Sequence, residues 1–323
     1  MILEIAELVT THCGVPEPTA RHLEVAYLKT TDPTFLVFAR HQEHPLFVVK
    51  IGRTDDLERR GARLARLHRL LPDAMAKPFG VFPLGSGHAI LVQNGLPGLP
   101  WFRLGDRYST PAAWLELRGR AVGQLHRFHD AVATQPDWVF APSSYDGELL
   151  DLAARLATLL TPLGPAIHPS VREAADALAA LPVAGLCQHG DFVLNNLLVD
   201  DARLGIVDLD DFGKWHAPWI DGFALGLSVH LHASRHVVWH HRAEDLAACQ
   251  RPPAMGVACT PRQAVAQYLH FLLAAISDTL NRPSRAEVRS FYLECLRDLL
   301  ADGPRYTSAF ERPAGREAHH ELR

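Results

Sequence analysis

The sequence predicts an α+β protein in two lobes, a small β-rich N-terminal one and a larger α-helical C-terminal one. Three observations predict it. Within the first hundred residues, short apolar runs at 23–28, 35–39, 46–51 and 88–93 alternate with polar, turn-forming stretches, which is the spacing of strands. Beyond residue 98, apolar side chains recur at three and four residues, and Ser or Thr followed three residues later by Glu or Gln marks helix starts. Inside that helical half, two short apolar runs, 197–199 and 206–207, flank the polar turn 200–205 and read as a β-hairpin. The expected division is 1–97, 98–304 and a polar tail, 305–323.

Taken in order, residues 1–20 read as a short helix stopped near Pro16 and Pro18. Lys50 ends the third strand. Residues 55–71 form a helix with Leu57, Leu64, Leu67 and Leu71 on one face, closed by Pro72. Its arginines Arg59, Arg60, Arg63, Arg66 and Arg69 read as a solvated outer face rather than a nucleic-acid surface. Its one glutamate, Glu58, lies off the leucine stripe at about 100° per residue. The connection between the first two strands, residues 29–33, holds no glycine. After the strand 88–93, Asn94-Gly95-Leu96-Pro97-Gly98 is turn-rich and joins the lobes. Thr110-Pro111 opens a helix in which Trp114, Leu117, Ala121, Leu125 and Phe128 form a core face. Ser170 with Glu173, Thr260 with Gln263 and Ser284 with Glu287 are further capping boxes.

Of 323 residues, 48% are hydrophobic and 21% charged, enough to build a full core. A net charge of −4 and a pI near 6.5 give no electrostatic reason to expect nucleic acid or an anionic membrane as partner. Five cysteines, Cys13, Cys187, Cys249, Cys259 and Cys295, are odd in number and without a Cys-x-x-Cys pair, the usage of a reduced, cytoplasmic chain. The start MILEIAELV carries Glu4 and Glu7 and no basic region, so no signal peptide is expected. No apolar run reaches the roughly 18 residues of a membrane span.

The chemistry concentrates in residues 189–221, HGDFVLNNLLVDDARLGIVDLDDFGKWHAPWID. A hairpin places the residue before its first strand beside the residue after its second, with Cα atoms about 5 Å apart. By this count those are Asn196 and Asp208. An amide oxygen and a carboxylate are hard ligands suited to Mg²⁺ that keeps sites for water and phosphate. Asp191, one loop upstream, is placed to orient a hydroxyl nucleophile. Asp210 reads as a ligand for a second ion or a support behind Asp208, and His189 as a brace of the loop.

His-x-Asp, an Asn five residues on and a strand-borne Asp are the spacings of a kinase catalytic loop. With Gly190 between His189 and Asp191, the run Ile-Val-Asp-Leu-Asp-Asp and Asp221 beyond it, the segment resembles the aminoglycoside phosphotransferase and choline kinase family, which shares the protein-kinase fold. The resemblance implies ATP, with GTP as the alternative, held by backbone groups at Asn94 and Leu96. It implies Lys50 on the α and β phosphates, Mg²⁺ on Asn196 and Asp208, Asp191 as catalytic base, and Asp221 supporting the loop. Two features depart from the family: its helix glutamate is matched only by the misplaced Glu58, and the nucleotide loop lacks glycine. Either Glu58 reaches Lys50 after a helix rotation, or another acid, such as Asp208, positions Lys50.

Only thirteen steps separate Asp208 from Asp221, and no Ser, Thr or Tyr lies between Leu209 and Leu227. A regulated protein kinase needs a longer activation segment and an Ala-Pro-Glu anchor, so a small-molecule hydroxyl acceptor is expected, an antibiotic, sugar or other metabolite. The alternatives are a protein Ser/Thr kinase of the bacterial stress-response type and a non-catalytic nucleotide-binding scaffold. Trp215 and Trp219, with His232 and His236 on one helix face, are candidates for the acceptor pocket. The spacing of the histidines fits no compact zinc module. A monomer or homodimer is expected.

Overall fold

The computed structural model describes residues 2–15, 22–28, 32–250, 259–280 and 285–311. Two compact units divide the chain: Met1–Ala131 with Val193–Asp211, and Val132–Phe192 with Phe212–Arg323. The first is sheet-rich and the second helical, as the α+β reading expects. The sheet-rich unit nevertheless runs past residue 97 and takes back the hairpin. Backbone bonds explain this: the Ile206 N–H donates to Ala74 O at 2.8 Å, and Leu99 and Pro100 pair with Val199 and Leu198.

In the first unit, β1 (Leu23–Leu28), β2 (Thr34–Ala39), β3 (Phe47–Arg53), β4 (Pro78–Gly85) and β5 (His88–Asn94) form an antiparallel sheet ordered β1-β2-β3-β5-β4. Alternation along each strand sends one set of residues to each face. Phe35, Val37, Phe47, Val49, Ile90 and Val92 pack with Ile5 and Val9 of α1 (Ile2–Cys13). Ala89 and Leu91 pack instead with Leu57 of α2 (Thr54–Leu70). Lys50 pairs directly opposite Leu91 and so shares the α2 face. Strand β4 is not legible in the sequence because Pro78, Gly80, Pro83 and Gly85 read as turns; it is an edge strand, where a missing N–H costs no ladder bond.

Also in this unit, β6 (Leu99–Pro100) precedes α3 (Pro111–Ala133), whose Trp114, Leu117, Ala121, Leu125 and Phe128 are all buried as expected. The Thr110 hydroxyl caps it, accepting from the Ala113 N–H at 3.3 Å.

The second unit pairs β7 (Val139–Ser143) with β8 (Val183–Leu186) and adds α4 (Asp146–Arg155) and α5 (Ile167–Ala179). After the hairpin strands β9 (Leu197–Val199) and β10 (Leu204–Ile206), which belong to the first unit, come α6 (Ile220–His236), α7 (Arg242–Cys249), α8 (Pro261–Thr279), α9 (Ala286–Ala301) and α10 (Gly303–Glu311). The capping box of Thr260 and Gln263 opens α8. Ser170 is not a cap: it lies within α5 and bonds back to Ala166 O at 3.0 Å. Ser284 lies outside the described residues. Where a polar tail was expected from 305, α10 continues to Glu311, because Tyr306 is buried and stacks on Tyr268 at 5.5 Å. No helix among the described residues is long and apolar enough to cross a membrane.

Candidate active site

Lys50 stands on β3 with its ammonium 3.0 Å from Asp210 Oδ1. The acid that holds this lysine is therefore neither Glu58, which is exposed, nor Asp208. On that flank α2 places the buried Gly61. A Cβ there would lie 3.2 Å from Val81 Cγ2 and 3.4 Å from Leu91 Cδ1, so any side chain at this position would have to displace those two by a few tenths of an ångström. Instead α2 contributes Arg60, whose Nη1 donates to the same Asp210 oxygen at 2.8 Å. Sequence reasoning assigned Arg60 to a solvated face; its role shows only when Asp210, 150 positions further on, folds back on the helix. Of the glycine-free connection between β1 and β2, residues 29–31 lie outside the described residues.

The hairpin turn is shorter than expected, residues 200–203, and this shifts the register. Leu197 pairs with Ile206, and the next pair outward is Asn196 with Val207, whose N–H donates to Asn196 O at 3.0 Å. Asp208 thus stands one step beyond the residue facing Asn196. It does not continue the strand: its φ of 63° is left-handed. Asp tolerates that region better than most residues, and such outliers concentrate at functional sites. Asn196 closes the 3₁₀ turn Leu194–Asn196 through its N–H to Val193 O at 2.9 Å. Among the described residues no cluster of three His, Cys, Asp or Glu is placed to hold a metal ion; the half-buried Asn196 amide and the exposed Asp208 carboxylate offer hard oxygen donors. The donor chemistry fits Mg²⁺.

The segment expected to meet the nucleotide base is tightly fixed. The Asn94 N–H donates to Lys77 O at 2.9 Å, and the Gly95 N–H donates to Leu46 O at 2.7 Å. A Cβ at Gly95 would fall 1.8 Å from Pro45 O. The Asn94 amide accepts from the Lys77 N–H and donates to Gly95 O at 3.0 Å. The Leu96 side chain is buried against Gly205.

In the second unit, Asp221 has no exposed surface and accepts two backbone N–H groups, from His189 at 2.7 Å and Gly190 at 2.9 Å. Gly190 has φ 88°, the turn that lets consecutive N–H groups converge on one carboxylate. His189 is buried, and its Nδ1 accepts from the Asp191 N–H at 3.4 Å. The half-buried Asp191 is thus carried on a loop fixed from behind. One residue of its surroundings escaped the sequence reading: Tyr292 on α9, whose phenol is raised above the usual range by burial first and then by the charge of Asp191. No pattern in the sequence links the two.

The acceptor-pocket candidates separate. Trp219 is packed in the core, its ring edge-on to Tyr145 at 4.9 Å and its indole N–H donating to His270 Nδ1 at 3.3 Å. Trp215 is half-buried, with the Lys214 ammonium 5.5 Å over its ring. His236 is exposed at the end of α6, and His232 is half-buried.

The sheet-rich unit carries a lysine over a helix and a hairpin ending in a left-handed aspartate, the helical unit carries a loop braced by a buried carboxylate, and the fold is that of the kinase-like phosphotransferases. Residues 32–221 match the APH family, described as the phosphotransferase enzyme family, and the chain belongs to it. No curated protein matches it in sequence. Among solved structures, a protein of Ralstonia eutropha JMP134 assigned as an aminoglycoside phosphotransferase is 14% identical, covers 95% of this chain and 98% of its own, and gives a TM-score of 0.58. The GDP complex of aminoglycoside 2'-phosphotransferase-IIIa is 13% identical, with 93% and 99% covered and a TM-score of 0.55. Aminoglycoside phosphotransferase APH(4)-Ia is 12% identical, with 96% and 99% covered and a TM-score of 0.53. At these identities the likeness shows the fold.

Proposed function

We propose that this phosphotransferase moves the γ-phosphate of ATP, with Mg²⁺, to a hydroxyl of a sugar or other hydroxylated metabolite, with Asp191 as the base. The observation that carries the reading is the brace behind Asp191: a buried carboxylate spends both oxygens on the two N–H groups preceding the Asp191 residue. A loop fixed so firmly holds one carboxylate in one place, which is what positioning catalysis requires.

In this reading the base lies along backbone at Leu96, since the N–H groups of Asn94 and Gly95 are used within the sheet. Lys50 turns its ammonium to the phosphates. Asn196 and Asp208 would hold Mg²⁺, which would supply charge neutralisation on the phosphate oxygens. Asp191 accepts the proton that the acceptor hydroxyl gives up as its oxygen bonds to the γ-phosphorus, while the bond from that phosphorus to the bridging oxygen breaks and ADP leaves with the electron pair. In this reading Tyr292, whose phenol is raised by burial first and then by the Asp191 charge, would border the acceptor side. The resemblance to aminoglycoside phosphotransferases leaves antibiotics in the acceptor screen; the mixed charge and many histidines of the second unit favour a less cationic molecule.

The test is γ-phosphate transfer screened over sugars, amino alcohols and hydroxylated antibiotics with ATP and with GTP. Asp191→Asn should lower kcat by roughly 10²–10⁴-fold with nucleotide binding retained. Equal transfer by wild type and variant removes Asp191 from the role of base. Asp208→Ala should abolish the Mg²⁺-dependent part of nucleotide binding, and unchanged binding would refute that ligand assignment.

A further inference from the structure

Arg60 collects carboxylates from three separate parts of the sheet-rich unit. Its Nη1 donates to Asp32 Oδ2 at 2.9 Å, in the connection leading into β2, and to Asp210 Oδ1 at 2.8 Å, two residues past the left-handed Asp208. Its Nε lies 2.7 Å from Asp56 Oδ2, one turn back on α2. The Asp210 oxygen that Arg60 reaches is the same atom that accepts from Lys50 Nζ. One carboxylate oxygen therefore joins two cations, and two cations face three carboxylates.

That arrangement has a physical consequence for Lys50. Were Lys50 the sole partner of Asp210, releasing it to a phosphate would leave the carboxylate uncompensated. With Arg60 bound to the same oxygen, Asp210 keeps a partner when Lys50 turns away. We propose that Arg60 is a positioning residue for nucleotide binding: it anchors Asp210 and the Asp32 connection, so that Lys50 is aimed by Asp210 and remains free to bind phosphate. The inference rests on the reading that Lys50 binds the nucleotide phosphates. It assigns to one residue the helix-to-lysine linkage that Glu58 does not supply and the anchoring of Asp32 ahead of β2.

The choice of arginine follows from geometry. Three carboxylates approach from different directions, and a guanidinium offers five N–H donors in a rigid plane, whereas an ammonium offers three on a mobile stem. The side chains are partly exposed, 23% for Arg60, 27% for Asp32 and 36% for Asp210, and ion pairs in such surroundings add little to stability. A purely structural network would leave nucleotide affinity alone.

The experiment titrates ADP, with and without Mg²⁺ and without acceptor, into the full chain and its variants, with thermal melting to show that each is folded. Arg60→Gln should weaken ADP binding by about tenfold and leave the acceptor KM within about twofold. Arg60→Lys should recover less than half of the loss in binding free energy. In an Asp210→Asn background, Arg60→Gln should cost less than about threefold, because the shared carboxylate is already gone. Asp32→Asn leaves α2 and the Lys50 pair in place and carries the test independently of the stability of Arg60→Gln; it should weaken binding about threefold or more. ADP binding unchanged in folded Arg60→Gln and Asp32→Asn overturns the proposal, as does an equal Arg60→Gln loss in both backgrounds. Failure of the wild type to bind any nucleotide would instead overturn the phosphotransfer reading on which the proposal stands.

Discussion

Asp221 illustrates how much one side chain decides here. Fully buried, it is the acceptor for the N–H groups of His189 and Gly190, and its own N–H donates to Gln188 Oε1 at 3.3 Å. Asp221→Ala strands the buried His189 N–H and the half-buried Gly190 N–H, each costing up to about 1–3 kcal/mol, so urea unfolding should show a loss of roughly 2–5 kcal/mol. Asp221→Asn keeps an acceptor oxygen and should lose less; equal losses would mean that the carboxylate does not act through these bonds. The loop that carries Asp191, the contact of Asp221 with that loop and the hairpin bearing Asn196 and Asp208 were legible in the sequence because their offsets are local. The partners of Lys50 were not. Asp210 lies 160 residues away, and Arg60 looks like one arginine among five on a basic helix until the acids around it are placed in space. Tyr292 was hidden for the same reason.

Elements show where local pattern suffices and where it fails. Strands β2, β3 and β5 and helix α2 begin and end close to their predicted limits, since apolar periodicity and the Pro72 stop are local signals. The hairpin was found, but its register was one step off, because Leu204 and Gly205 belong to the strand rather than the turn. Its position depends on the approach of the preceding connection. Gly98 has φ 100°, and a Cβ there would lie 2.7 Å from Val199 O on β9. Gly98→Ala must move either backbone, so it should destabilise by roughly 1–3 kcal/mol and disturb the hairpin that carries Asn196 and Asp208. The check is a melting curve beside Mg²⁺-dependent nucleotide binding. A stable variant with normal binding would show that the connection yields without moving the hairpin.

At the scale of the whole molecule, the chain leaves the sheet-rich unit at 131 and returns to it for residues 193–211, a path that composition and periodicity do not encode. It is fixed by backbone pairing between segments more than a hundred residues apart, as in the bridge of Met75 to Ile206. Global stability should depend on pH through the histidines of α6. Burial, then Arg242, pushes His230 down to about 4; burial, then Arg235 and His236, pushes His232 down to about 4. Asp245 does not reverse this for His230: it lies 3.8 Å away, and the same oxygen accepts the Trp239 indole N–H at 2.7 Å. Both rings are therefore neutral in the fold and protonate in the unfolded chain below about 6.5. The unfolded state then binds more protons, so stability is fully present above about pH 6.5 and falls as pH drops toward 4. Allowing for solvent screening, the pair together should account for on the order of 3 kcal/mol of that loss. Urea midpoints measured from neutral pH down to about 4 should fall less steeply for a His230→Gln, His232→Gln variant than for wild type. Parallel slopes would place the acid sensitivity in the carboxylates instead.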